Sequence, residues 1–554
     1  MKRITLRQLT RFFYILGLMG ILAMLPFSKI VVSIGQMVLA GTWIVEQFDA
    51  PRWLGFFRTR SLSGILLSVI PYTIYEGFRG IIKGFGKFFR NKPALIFASI
   101  LLFHIIGLFF TCDFDYALKD LRTKLPLLLF PLFIATSPPF GKKAFHRFIL
   151  FFVLALLVAT IINTWKATHI QFVDIREIAR SVSHIIFGLL LTLGIFVLGF
   201  FTFKRRVVPP WAKVICLLLL TWFLVYLVFT KSMTGLIVLL ITLMVQIPVI
   251  ILRMKNRWLK AGLVLIILAL PVAAGFYLRE MVKDYYQVKP VDYRTLEQVT
   301  SRGNRYVHNV FNYQTENGNR LWLYVQWDEL RASWNRRSSI DFDSLDMKKQ
   351  PVAFTLVRFL TSKGFRKDAD AVDRLTPDEI TAIEKGEANY IFMKEFRIRG
   401  WVYEFLMGYD NYRQTGNATG SSMMQRLEYW KASLGIIERN WLTGVGTGDM
   451  NIAFEQQYIR MHSKLAPDQR WRSHNQFLSI FVGFGIFGLA WFLFAIFYPP
   501  FMLKRYDDYF FLVFFIIALL SMMTEDTIES QMGVTFFAFF YSFFLFARRE
   551  KEPA

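Results

Sequence analysis

The 554-residue chain is 54% apolar and 17% aromatic, with 59 phenylalanines, and carries a formal charge of +25. Repeated runs of about 16–25 apolar residues match the length a helix needs to cross a hydrocarbon core, where backbone groups must bond internally. This excludes a soluble array of domains and makes the chain an all-α polytopic membrane protein. The charge does not point to nucleic acid: residues 279–474 hold 29 Lys and Arg against 25 Asp and Glu, and the rest of the chain 36 against 15. Most of that excess lies in short segments between apolar runs, the positive-inside pattern of cytoplasmic loops. Cys112 and Cys216 suggest neither a disulfide framework nor a metal knuckle.

Met1-Lys2-Arg3 and Arg7 resemble a basic leader, but two apolar runs follow without a small-residue cleavage site. They are read as spans 1 and 2, Phe12–Phe27 and Ile30–Val45. Residues 49–92 interleave cations such as Arg52, Arg79, Lys83, Lys87 and Arg90 with Phe56, Phe78, Phe85 and Phe88, the composition of helices lying on an anionic leaflet. The run Leu62–Tyr75 is short and is expected to be a re-entrant or surface helix. Spans 3 to 9 follow as Ala94–Thr111, Leu125–Ala135, Phe148–Asn163, His184–Phe203, Trp211–Phe229, Met233–Leu252 and Ala261–Leu278.

The polar segment 279–474 then falls outside, and spans 10 to 12 are Phe477–Leu503, Phe510–Met523 and Met532–Phe546. About 12 transmembrane helices with both termini cytoplasmic satisfy the charge rule at almost every loop. Three parts result: residues 1–278 with nine spans, 279–474 as a large outer loop, and 475–554 with three spans and a tail. In the outer segment Thr376-Pro377-Asp378-Glu379 reads as a capping box opening a helix. Trp322–Leu330 reads as an aromatic-rich helix, Asp410–Ser422 as a loop, and Gln425–Arg439 as a helix opened by Arg426.

Leu442–Asp449 contains Gly444-x-Gly446-x-Gly448, which lacks the preceding strand of a dinucleotide fingerprint. It is either a tight turn using positive φ or, less simply, a set of amides approaching a phosphate. The polar segment ends in Arg470-Trp471-Arg472-Ser473-His474-Asn475-Gln476, at the entrance to span 10. A histidine at a helix N-terminus among cations is expected to have a depressed pKa and to stay neutral enough to accept a proton. His474 is then a base for an attacking sugar hydroxyl or an interfacial residue capping the span. Arg426 offers a fork for pyrophosphate or is simply solvated.

Further cations gather on the outer face, where the charge rule does not expect them: Arg180 with His184 four residues on, Lys231, Arg122 and Lys124. Each alone is an anchor or a ligand to an anion; a shared anionic ligand accounts for all of them together. Glu525, Asp526 and Glu529 lie on the same side without the partners of a metal motif, and are expected to pair with the outer arginines.

These motifs in this order resemble the O-antigen ligase and polymerase family. The resemblance rests on Arg426 with Tyr429-Trp430, Gly444-Val445-Gly446-Thr447-Gly448, and Ser473-His474-Asn475-Gln476 opening a span with Gly483, Gly485 and Gly488. It extends to Leu121-Arg122-Thr123-Lys124-Leu125-Pro126 and Ser232-Met233-Thr234-Gly235, and the insert around 320–400 looks like the Bacteroidetes-type version. The resemblance implies a GT-C-like fold in the bacterial inner membrane with the large loop periplasmic. It implies metal-independent, inverting transfer of a glycan from undecaprenyl pyrophosphate, without a cofactor, to a lipid A-core acceptor. By position His474 and Arg426 match the family's catalytic pair. Lys231, Arg180, His184, Arg122, Lys124, Arg472 and Asn475 are then expected to bind pyrophosphate or acceptor. Family members often carry arginine where this chain has Met233, and Lys231 lacks the bidentate fork. A polymerase, a protein O-oligosaccharyl transferase, or a lipid-linked glycan flippase with two related halves and midspan charges are the alternatives.

Overall fold

The computed structural model describes residues 6–48, 52, 56, 62–169, 183–204, 207–230, 232–252, 256–393 and 398–549. They are predominantly helical and divide into two compact units, Met1–Arg253 with Arg426–Ala554, and Met254–Gln425. Each expected span is helical, but among the described residues seven helices are long and apolar enough to cross a membrane. Three of the other expected spans are shorter: Pro126–Thr136 has 11 residues, and Tyr509–Thr524 and Gln531–Phe546 have 16 each. At about 1.5 Å per residue they fall short of a hydrocarbon core of about 30 Å. Leu62–Arg90 is one 29-residue helix with Pro71 inside it, and is not among the seven.

In the first unit the phenylalanines make the core. Every side chain from Met532 to Leu545 is buried, as expected of a helix that is apolar all round. Phe97 stacks on Tyr541 with ring centroids 4.0 Å apart, and Phe145 on Phe543 at 5.1 Å. Aromatic contact replaces the small-residue packing of many membrane helices here.

Helix Gln476–Met502 is broken at Gly485, which takes φ 63° and ψ −164°. The break frees carbonyls, and the glycine turn satisfies them: Val445 N–H donates to Val482 O at 3.0 Å and Gly446 N–H to Gly483 O at 2.8 Å. Ile486 N–H donates in turn to Trp441 O at 2.8 Å. A Cβ on Gly444 would stand 2.3 Å from Gly483 C, and one on Gly485 2.2 Å from Leu442 O. The turn also grips helix Ile100–Ile106, Thr447 Oγ1 donating to His104 O at 2.7 Å. Asp449 accepts from the N–H groups of Cys112 at 2.9 Å and Asp113 at 3.0 Å. Glycine is therefore required by close backbone approach, and these amides are committed to protein carbonyls, not to a phosphate.

The second unit holds helix Arg257–Tyr286, whose apolar stretch has no buried residue, as suits a helix solvated by lipid. Its polar part has its own core around Trp334, Phe342, Leu356, Phe359 and Ile383. The Thr376–Glu379 capping box forms as expected and opens helix Pro377–Glu384. Two readings are corrected. The helix expected over Trp322–Leu330 starts at Trp327, because Gln326 caps it and Val325 pairs with Val307 and Lys367 in an extended segment. Asp410–Thr415 continues helix Ile398–Thr415, and the loop is confined to residues 416–421, with Gly416 and Gly420 at positive φ.

Candidate functional site

Asn475 caps helix Gln476–Met502, its Oδ1 accepting from the N–H groups of Phe477 at 3.0 Å and Leu478 at 3.2 Å. His474 precedes the cap and adopts the left-handed region at φ 43°, uncommon for a residue other than glycine. Half-buried Asp526 holds that conformation: its Oδ2 accepts from His474 N–H at 3.1 Å and its Oδ1 from Asn475 N–H at 3.0 Å. Ser479 Oγ donates to the same Oδ1 at 2.7 Å. The backbone of His474 is thus set by a carboxylate fifty-two residues away in sequence.

Its side chain is set by another. His474 Nδ1 lies 3.0 Å from Glu525 Oε2, and Arg426 donates to Glu525 Oε1 at 2.8 Å. A carboxylate only accepts, so Nδ1 carries the proton and the neutral ring offers Nε2 as the acceptor. Tyr429, one turn from Arg426 on helix Ser422–Asn440, stacks on the imidazole with centroids 5.4 Å apart. Burial alone would lower the His474 pKa, but the bond and charge of Glu525, with Asp526, raise it above 6.5 against the opposing Arg426. The depressed value expected from helix end and cations is corrected accordingly: the nearest charges are carboxylates.

Behind this pair lies a buried ionic cluster. Glu529 Oε2 accepts from Lys124 Nζ at 2.8 Å and from Arg472 at 3.2 Å, and Glu529 Oε1 from Gln476 Nε2 at 3.1 Å. Lys124 also donates to Asp120 Oδ1 at 2.5 Å, and Arg472 lies over the Tyr116 ring at 4.8 Å. Burial would raise Glu529, yet Lys124 and Arg472 hold it far below the usual carboxylate range. Burial pushes Asp120 up to about 6 despite Lys124 beside it.

The structure therefore brings together His474, Arg426, Asn475, Arg472 and Lys124, and the acidic turn pairs with the outer cations as expected. Lys124 is 1% exposed and its ammonium is spent on two carboxylates; it is not a surface cation awaiting a phosphate. Arg122, on the same helix Phe114–Lys124, is exposed, and so is His184 at the start of helix His184–Phe203. Arg180 and Lys231 lie outside the described residues. Sequence reasoning expected Glu525 to pair with an outer arginine but missed that the same carboxylate holds His474. The signal was an acidic turn between two apolar runs, opposite an excess of cations.

A polytopic helical membrane protein is thus defined by a histidine at a helix entrance, held by a carboxylate shared with an arginine. Residues 380–493 match the family model Wzy_C, described as O-antigen ligase. The matched stretch contains Arg426, the glycine turn and His474; Glu525, Glu529 and Lys124 lie outside it. No curated protein matches the chain.

Proposed function

We propose that this protein is a GT-C-like glycosyltransferase of the inner membrane, working on the periplasmic side. It moves a glycan from undecaprenyl pyrophosphate to a hydroxyl of a lipid A-core acceptor. The observation that carries the reading is Glu525 bridging His474 Nδ1 and Arg426, which leaves a hydrogen-bond acceptor beside a half-buried cation. His474 Nε2 takes the proton of the acceptor hydroxyl as its oxygen attacks the anomeric carbon from the face opposite the leaving group. The glycosidic carbon–oxygen bond to the pyrophosphate breaks, and the configuration inverts. Arg426 neutralises charge developing on the departing pyrophosphate, with Arg180, Lys231 and Arg122 as further cations for it. His184 joins Arg180 in this anion site, and Asn475, whose side chain caps the helix and donates to Met523 O, sets the backbone beside His474. Pyrophosphate is a good leaving group, so positioning and fixed charge suffice without a metal.

The test is the lipopolysaccharide ladder of cells carrying His474→Ala at normal protein levels. Loss of the ladder is expected; an undiminished ladder refutes the assignment. A polymerase would instead change the length of the attached glycan, and a protein transferase would leave its product on glycoprotein.

A further inference from the structure

Lys124 has a different task from the one its place in the sequence suggests. It is the last residue of helix Phe114–Lys124, almost fully buried, and both of its short contacts are to carboxylates. The residues around it form a closed chain of contacts. Lys124 and Arg472 meet on Glu529 Oε2, and Gln476 binds Glu529 Oε1 while its own Oε1 accepts from Ile528 N–H at 2.8 Å. Glu529 N–H donates to Asp526 O at 3.0 Å, closing the short turn Thr527–Glu529. At the head of that turn stand the carboxylates that hold His474, Asp526 on its backbone and Glu525 on its ring.

We propose that Lys124 is a positioning residue: by neutralising Asp120 and Glu529 in the interior it anchors the acidic turn, and through it the orientation of His474. The formal charges make the point. Asp120 and Glu529 face Lys124 and Arg472, two negative groups against two positive, with Lys124 and Asp120 buried and Glu529 and Arg472 only about 15% exposed, where water screens poorly. Removing Lys124 leaves two carboxylates, one buried and one largely so, to one guanidinium. The turn must then shift toward solvent or take up a proton, and either change moves Glu525. Neutralising Asp120 as well restores the balance and keeps the Arg472–Glu529 pair.

The inference rests on the catalytic reading of His474, and the test separates the two. Full-length wild type, Lys124→Met, Asp120→Asn and Lys124→Met/Asp120→Asn are compared in two assays. One is transfer from an undecaprenyl-pyrophosphate-linked glycan. The other is the rate at which diethyl pyrocarbonate modifies His474, read by peptide mass spectrometry, which needs no turnover. Lys124→Met is expected to lower kcat about 10- to 100-fold with the KM for donor unchanged, as a displaced catalytic group does. It is expected to speed modification of His474 by roughly threefold or more as the ring loses Glu525. The double variant recovers most of both. A raised donor KM with kcat intact, and no recovery in the double variant, would make Lys124 an anion ligand and overturn the proposal. Wild type without transfer would refute the functional reading alone; the modification rates then decide, and equal rates in wild type and Lys124→Met overturn the positioning role. If Lys124→Met does not accumulate, the charge-balanced double variant carries the test: it is expected to accumulate and to react at the wild-type rate, and failure of either overturns the proposal.

Discussion

Glu525→Gln separates the electrostatic role of this carboxylate from its shape. Glutamine keeps the volume and an oxygen for His474 Nδ1–H but removes the charge that Arg426 and the imidazole share. The bond in question is 3.0 Å long, between side chains that are 31% and 17% exposed. A charge-assisted hydrogen bond in such a place contributes about 1.5–3 kcal/mol, so kcat/KM is expected to fall roughly 10- to 150-fold. The pH profile carries the sign. A base must be neutral to act, so wild-type activity rises with pH through a His474 pKa held above its ordinary 6.5. In Glu525→Gln the lowering effects of burial and Arg426 are less opposed, and the acid limb moves to lower pH while the plateau drops. Initial rates of glycan transfer from about pH 5 to 9 measure both effects, with a melting curve as the control for folding. A limb that stays in place, or one that moves to higher pH, would refute the argument.

The same linkage predicts stability. The His474–Glu525 attraction is fully present below pH 6.5 and is lost as pH rises through the raised folded-state value. The melting temperature of wild type should exceed that of Glu525→Gln at acidic pH, and the gap should narrow on the alkaline side to what the Arg426–Glu525 pair contributes. His474→Asn should abolish transfer yet fold, because asparagine tolerates the left-handed region; His474→Val should be less stable by about 1–2 kcal/mol, in a denaturation series. Gly485→Ala should destabilise by about 2–5 kcal/mol, since its Cβ meets Leu442 O at positive φ. Gly20→Ala, with open space around it, should be neutral by the same melting assay. Thr376→Ala should cost about 1 kcal/mol by opening the capping box in the second unit.

The helices were legible because apolar runs of membrane length admit few other structures. So was the capping box at Thr376, which local chemistry decides, and so was the glycine turn at Gly444–Gly448, though its packing against Gly483 was not. The length of the short spans was less legible: apolar runs flanked by aromatic residues do not mark where lipid ends and protein core begins. Helix Ile398–Thr415 overran an expected loop because its last turn is polar and contacts elsewhere in the fold, not propensity, decide its extent. At the site, His474 and Arg426 stood out by their setting. That one carboxylate, Glu525, joins them did not, because it lies on a turn fifty-one residues beyond His474 and meets it only through the tertiary fold. The error over Lys124 has the same origin. A cation at a predicted membrane boundary reads as exposed, and its two carboxylate partners, one of them 405 residues away, become visible only in three dimensions.

The most direct measurement of the central claim is transfer by purified protein from a defined undecaprenyl-pyrophosphate-linked glycan to lipid A core, with EDTA present. The account predicts an inverted glycosidic product from wild type and none from correctly folded His474→Asn. Undiminished transfer by His474→Asn, a retained configuration, or activity lost to EDTA would contradict it.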